Sequence, residues 1–234
     1  SCDGHGINEQ GQISGSTFVW VADGRERWWG YVWSDANTNG VHDTGEMQVL
    51  GSLSPTFPVS GATAINDIGQ AVGWSSVDAD WYPNHAMLVT SANGRWKIPD
   101  DGIASSNNIL MQDLGTLDTP ADNSYANAIN NQSWIVGTSS TASNTNQAFL
   151  WRDGVMTNLN DLIDPGSGWV LTNAADISEN NVVVGSGLFN GQVRAFMLLG
   201  APLLLVRGTN GAAIANNEPP RLEKGTDFGR GGQG

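Results

Sequence analysis

The chain has 234 residues, only 14% of them charged, with 23 acids against 10 bases and a net charge of −13. So acidic a balance excludes nucleic acid, which needs a basic footprint, and argues equally against an anionic membrane surface. The single cysteine, Cys2, excludes an internal disulfide, and APLLLV, the most apolar run, is far too short to span a bilayer.

Thirty glycines, frequent Asn-Gly, Asp-Gly and Ser-Gly pairs and the lack of any ten-residue helical stripe predict an all-β chain of short strands. Internal repeats organise it. INEQGQISG from Ile7, INDIGQAVG from Ile65, INNQSWIVG from Ile129 and ISENNVVVG from Ile177 align without gaps. Each begins with Ile, carries Asn or Ser next, has Gly, Ser or Asn in mid-turn and closes on Gly. That is strand, tight turn, strand. The Ile side chains are expected to be buried and the following Asn to cap the turn.

A second element follows 10 to 15 residues after each closing Gly: GYVW at Gly30, AMLV at Ala86, AFLW at Ala148 and AFML at Ala195. A third follows in three copies: MQVLGSL at Met47, MQDLGTL at Met111 and MTNLNDL at Met156. The unit is therefore about four short strands, repeating every 48 to 64 residues. The small residue opening each second element suits a crowded inner position. Trp33 and Trp151 share one repeat position and are expected in the core.

In the first unit, the connection between the second and third elements is DANTNGVHDTGE, Asp35 to Glu46. A twelve-residue calcium loop supplies oxygens from positions 1, 3, 5, 7, 9 and 12, with glycine at 6 for the sharp turn. Here those positions are Asp35, Asn37, Asn39, the Val41 carbonyl, Asp43 and Glu46, with Gly40 at the turn. The flanks, RWWGYVW and MQVLGSL, are strand-like, so the opening helix pair of a sensor is not expected. The loop instead elaborates a hairpin turn that in the third unit is only RDG, Arg152 to Gly154. A solvated polar hairpin is the plainer reading of the same residues. The expected cofactor is one calcium ion with a structural role.

No catalytic constellation emerges. His5, His42 and His85 lack metal-ligand spacing, and no nucleophile elbow or phosphate-binding glycine loop is present. The acidic pairs Asp78 with Asp80 and Asp100 with Asp101 suit solvated loops better than a glycosidase site. In WSSVDADWYPNH, Trp81 and Tyr82 stand beside carboxylates and are candidate sugar-stacking residues. Packing between repeat units is the alternative role for the tryptophans that do not recur.

Four-strand units at this period predict a β-propeller-like array of four antiparallel sheets over residues 1–200, with a β-solenoid or stacked sandwich as the alternative. The combined pattern INxxGxxVG, then AFLW, then MxDLGTL resembles the bacterial extracellular HAF repeat family over roughly residues 1–200. Ala148 to Trp151 and Asp113 to Leu117 match best. The first unit departs with ISG and the third with NLNDL. The resemblance implies a secreted or surface-attached protein and supplies no catalytic residues.

Residues 201–234 differ. Leu203 to Gly229, ending in GTDFG, is similar to the opening of the immunoglobulin-like surface domains called choice-of-anchor D. The segment is expected to be a tail or the start of a further domain, with Leu203 to Val206 pairing as a strand. The chain reads as a piece of a longer surface protein. Two functions follow as expectations. One is a calcium-stabilised structural or adhesive repeat module, with neighbouring copies as partners. The other is a carbohydrate-binding or glycoside hydrolase-like propeller, with extracellular polysaccharide as partner.

Overall fold

A computed structural model describes residues 2–20, 26–55, 57–78, 83–97, 108–119, 122–143 and 145–199. It is all-β, in four antiparallel sheets that follow one another along the chain. Sheet one is β1 (Cys2–Ile7), β2 (Ile13–Trp20), β3 (Glu26–Trp33) and β4 (Met47–Val49). Sheet two is β5 (Ser60–Ile65), β6 (Gln70–Ser76), β7 (Asn84–Thr90) and β8 (Met111–Asp113). Sheet three is β9 (Ser124–Ile129), β10 (Ile135–Ser140), β11 (Asn146–Arg152) and β12 (Val155–Asn158). Sheet four has three described strands, β13 (Trp169–Ile177), β14 (Val183–Phe189) and β15 (Gln192–Leu198). Strand order is sequence order in every sheet, and the sheets do not close into a barrel. Among the described residues no helix is long and apolar enough to cross a membrane.

The repeat alignment maps onto equivalent places. All four INxxG-type stretches are the first hairpin of a sheet, and the mid-turn residues Gly11, Gly69, Ser133 and Asn181 all have left-handed φ, 61° to 80°. The residue after each Ile caps its turn. Asn8, Asn66 and Asn130 each accept backbone amides on Oδ1, and Ser178 Oγ accepts the Val182 amide. The closing glycines Gly15, Gly73, Gly137 and Gly185 face a backbone carbonyl of the first strand so closely that any Cβ would overlap it. A β-bulge lies in each first strand near that glycine.

Alternation along the strands gives each sheet two apolar faces. Call the rear face the one toward the next sheet. Val72 lies opposite Leu88 and Val136 opposite Leu150 on rear faces, while Ala71 opposite Val89 and Ile135 opposite Trp151 lie on front faces. Three apolar clusters fill the spaces between sheets. One joins Val32 and Leu50 of unit one to Ile65 and Val89 of unit two. The second joins Leu88 and Leu114 to Ile129 and Trp151, and the third Leu150 and Leu159 to Ile177 and Leu198. Burial of each such side chain contributes about 1.5–3 kcal/mol. The core is thus a series of joints.

Small residues let the sheets approach. A Cβ on Gly30 would lie 3.1 Å from the Ala62 nitrogen, and Ala86 and Ala148 at the same repeat position are fully buried.

Three expectations are corrected. Ile7 is 69% exposed, whereas Ile65, Ile129 and Ile177 are 6% to 8% exposed. Those three pack against the rear face of a preceding sheet, and among the described residues no sheet packs on the front of sheet one. Trp33 is half-buried for the same reason, while Trp151 is buried in the second joint. In the third unit the strand expected over MTNLNDL stops at Asn158, whose side chain accepts the Asn160 amide and starts a 3₁₀ turn over Leu159–Leu162. Residues 201–234, including the expected strand at Leu203 to Val206, lie outside the described residues.

Candidate metal centre

The Asp35 to Glu46 loop connects β3 to β4, as its strand-like flanks predict. Trp33 and Met47 are paired at its two ends, and the Ser34 amide donates to the Glu46 carbonyl at 3.1 Å. Thr38, Gly40 and Gly45 turn the chain with φ of 58°, 73° and 93°. For Gly40 and Gly45 that left-handed backbone is the reason for glycine.

The side chains at the proposed ligand positions turn inward. Asp35 Oδ1 accepts the Asn39 amide and Oδ2 the Gly40 amide, at 3.1 and 2.8 Å. Asn37 Nδ2 and Asn39 Nδ2 both donate to Asp43 Oδ2, at 2.6 and 2.7 Å. These two bonds hold the Asp43 carboxyl below the usual carboxylate range. The Asn37 and Asn39 oxygens accept the Asn39 and Val41 amides. Glu46 is buried, and its carboxylate accepts the Ala36 and Asp43 amides at 3.2 and 2.7 Å.

Hydrogen bonds thus tie Asp35 to the Asn39 amide, Asn37 and Asn39 to Asp43, and the Asp43 amide to Glu46. The donor set is all oxygen and suits a hard cation. In the arrangement seen, Asn37 and Asn39 present nitrogen to Asp43, so ligation requires both amides to rotate and offer oxygen. Among the described residues no group of three or more His, Cys, Asp or Glu is gathered as a metal site. The loop's donors beyond its three carboxylates are amide and carbonyl groups.

The other candidates separate. Trp81 and Tyr82 lie outside the described residues, as do Asp80, Asp100 and Asp101. His42 is exposed in the loop. His5 Nδ1 lies 2.8 Å from the Ala62 carbonyl, joining sheets one and two. His85 is buried, with Nδ1 2.9 Å from both carboxylate oxygens of Asp113. Burial pushes the Asp113 carboxyl up, but hydrogen bonds from His85 and the Gly115 amide outweigh it and the net direction is down. Sequence spacing missed this pair because its partners come from different strands, with Asp113 paired opposite Met87.

At the turn end of the array the four first hairpins meet around a solvent-open concavity of about 400 Å³, lined in part by Glu9, Asp67 and Glu179. Its walls are a hydrogen-bonded staircase. Asn8 Nδ2 donates to the Asn66 carbonyl, Asn66 Nδ2 to that of Asn130, and Asn130 Nδ2 to that of Ser178, at 3.0, 3.0 and 3.1 Å. Beside it, the Glu9 amide donates to Asp67, the Asp67 amide to Asn131 and the Asn131 amide to Glu179. The acids here serve as acceptors between units. Thr63 Oγ1 and Asn127 Nδ2 repeat the His5 contact by donating to the Ala126 and Ala174 carbonyls, both at 2.7 Å.

Comparison with protein-family models, with curated proteins and with solved structures gives no match to this chain.

Proposed function

We propose that the chain is a calcium-stabilised structural and adhesive repeat module of a secreted or cell-surface bacterial protein, its four sheets standing as the blades of a propeller-like array. The observation that carries the metal reading is the loop itself. Where the third unit turns β11 into β12 with two residues, the first unit spends thirteen, and hydrogen bonds tie Asp35, Asn37, Asn39 and Asp43 together within them. Calcium would be held by Asp35, Asn37, Asn39, the Val41 carbonyl, Asp43 and Glu46, and would clamp the ends of β3 and β4. The surface setting is supported by the acidic composition and by the resemblance to the HAF repeat and choice-of-anchor D families. The propeller-like arrangement is supported by the succession of equal sheets, whose first strands lie side by side.

Three carboxylates with two neutral amides predict modest affinity, on the order of 0.1–1 mM as in extracellular modules. At ten times the dissociation constant, calcium adds about 1.4 kcal/mol to stability. For a chain of this size that raises Tm by about 3–6 °C. The test is thermal melting with calcium and with chelator. The wild type should show the rise and Glu46→Ala should not, while far-UV circular dichroism of the two agrees. Equal calcium shifts in both proteins would reject the site.

A further inference from the structure

We infer that the rear face of sheet four is a docking surface for a second copy of this chain, which joins it end to end through sheet one. The internal joints set the template. In units two and three the rear-face pairs Val72 with Leu88 and Val136 with Leu150 are at most 4% exposed beneath the next sheet. The equivalent pair in unit four, Val184 opposite Met197, is 38% and 43% exposed. The same face continues through exposed Ala195 to Leu188, Val193 and Val170. It also carries Ser186 opposite Ala195 and an exposed Asp176 opposite Val184, where units two and three have Ala64 and Ala128. So many large apolar side chains exposed on one sheet face mark an interaction surface.

The complementary half of the joint is on the same chain. Ile7 is exposed at the repeat position that Ile65, Ile129 and Ile177 use to fill a joint, and Ile13 and Trp33 beside it are only half-buried. Glu9 stands where Asp67, Asn131 and Glu179 accept the amide of the preceding turn, so it is placed to accept the Glu179 amide of another copy. Two polar rungs would be missing. Ala175 replaces the donors His5, Thr63 and Asn127 at the bulge, and Ser178 replaces the donors Asn8, Asn66 and Asn130 at the turn. The joint between copies therefore rests on apolar contact beside the Asp176 carboxylate and is weaker than the internal joints, which suits reversible association. The two faces differ, so the contact is head-to-tail and generates a ring or an open chain. The inference rests on the packing of the sheets and is independent of the calcium reading.

Sedimentation velocity of the full chain tests it, in calcium and in chelator. The salt should be about 0.15 M, where a Debye length of about 8 Å screens the net negative charge. The protein should be followed up to about 100 µM, well above a micromolar dissociation constant. Wild type should form species larger than a dimer as concentration rises. Ile7→Asp, which removes the plug, and Met197→Asp, which spoils the socket, should each be monomeric and folded by circular dichroism. Their equimolar mixture should form a dimer and stop there, because one intact joint remains. Wild type that stays monomeric throughout overturns the inference. So does assembly of either variant to the wild-type extent, or a mixture that remains monomeric while wild type assembles. Loss of the calcium-dependent melting shift with assembly intact would count only against the metal site.

Discussion

Asn66 is 4% exposed, and its side chain both caps its own turn and links it to the next unit. Its Oδ1 accepts the Gln70 amide at 2.9 Å within its own turn, and its Nδ2 donates to the Asn130 carbonyl at 3.0 Å in the next unit. Ser178 at the same position of unit four keeps only the first duty, accepting the Val182 amide at 3.0 Å. Asn66→Ser should therefore keep the cap and lose the link between sheets. Asn66 Nδ2 also donates to Gln70 Oε1 at 2.7 Å. The Asn130 carbonyl retains the Ser133 amide and Gln70 Oε1 retains the Ser133 hydroxyl, so no acceptor is orphaned and the cost is that of two net hydrogen bonds, about 2 kcal/mol. Asn66→Ala also removes the acceptor for the Gln70 amide. An unsatisfied amide adds about 1–3 kcal/mol, for a total of about 3–5 kcal/mol. Against a typical stability of about 5–15 kcal/mol, that is a large fraction. Urea unfolding followed by tryptophan fluorescence measures both, and unchanged m-values show that the same transition is being compared. Circular dichroism must trace the same curve, because repeat arrays can unfold in stages. Equal losses in Ser and Ala variants would refute the division of duties, and a loss below about 0.3 kcal/mol in both would refute the staircase as a source of stability.

Gly137→Ala places a Cβ against the Tyr125 carbonyl and 2.9 Å from the Phe149 ring, so it should cost about 3 kcal/mol or prevent folding. Gly154→Ala, at φ 84° with open space around it, should cost only about 1 kcal/mol in the same thermal melts. Asp113 has a folded-state pKa below its unfolded value, so it stabilises the fold above the unfolded value near 3.9 and loses that contribution as pH falls through the folded one. The urea midpoint of wild type should drop between about pH 5 and pH 2, and Asp113→Asn should flatten that drop. A variant with the full wild-type slope would move the cause elsewhere.

The hairpins, their caps and the succession of sheets were legible because each depends on neighbours in sequence. An Ile-Asn start, a left-handed residue at Gly69 or Ser133 and a closing Gly are all set within nine residues. What lay beyond the sequence was what each unit receives from the one before. Ile7 carries the same local signal as Ile65 and yet stands in solvent, because burial there is conferred by another sheet. The second donor of Asn66 was hidden for the same reason: as a turn residue it is fully explained by its cap, and its reach of 64 residues to Asn130 appears only in the packed array. Of the Asp35 to Glu46 loop, the spacing and the turn at Gly40 could be read. The burial of Glu46 and the hold of Asn37 and Asn39 on Asp43 could not, since both depend on how the loop folds back over the strand ends. The 3₁₀ turn at Leu159–Leu162 falls in NLNDL, where the third unit departs from the repeat, and Asn158 at its start supplies the cap.

The variable length of the β3–β4 type of connection has an entropic side. Closing thirteen residues between Trp33 and Met47, rather than the two between Arg152 and Val155, costs only about 1.7 kcal/mol more, because closure entropy grows with the logarithm of length. A calcium ion at ten times its dissociation constant would return about 1.4 kcal/mol. The two nearly cancel. The outer hairpin of a sheet is therefore a position where a chain can gain a dozen residues, and whatever those residues recognise, while the joints between sheets register almost no change.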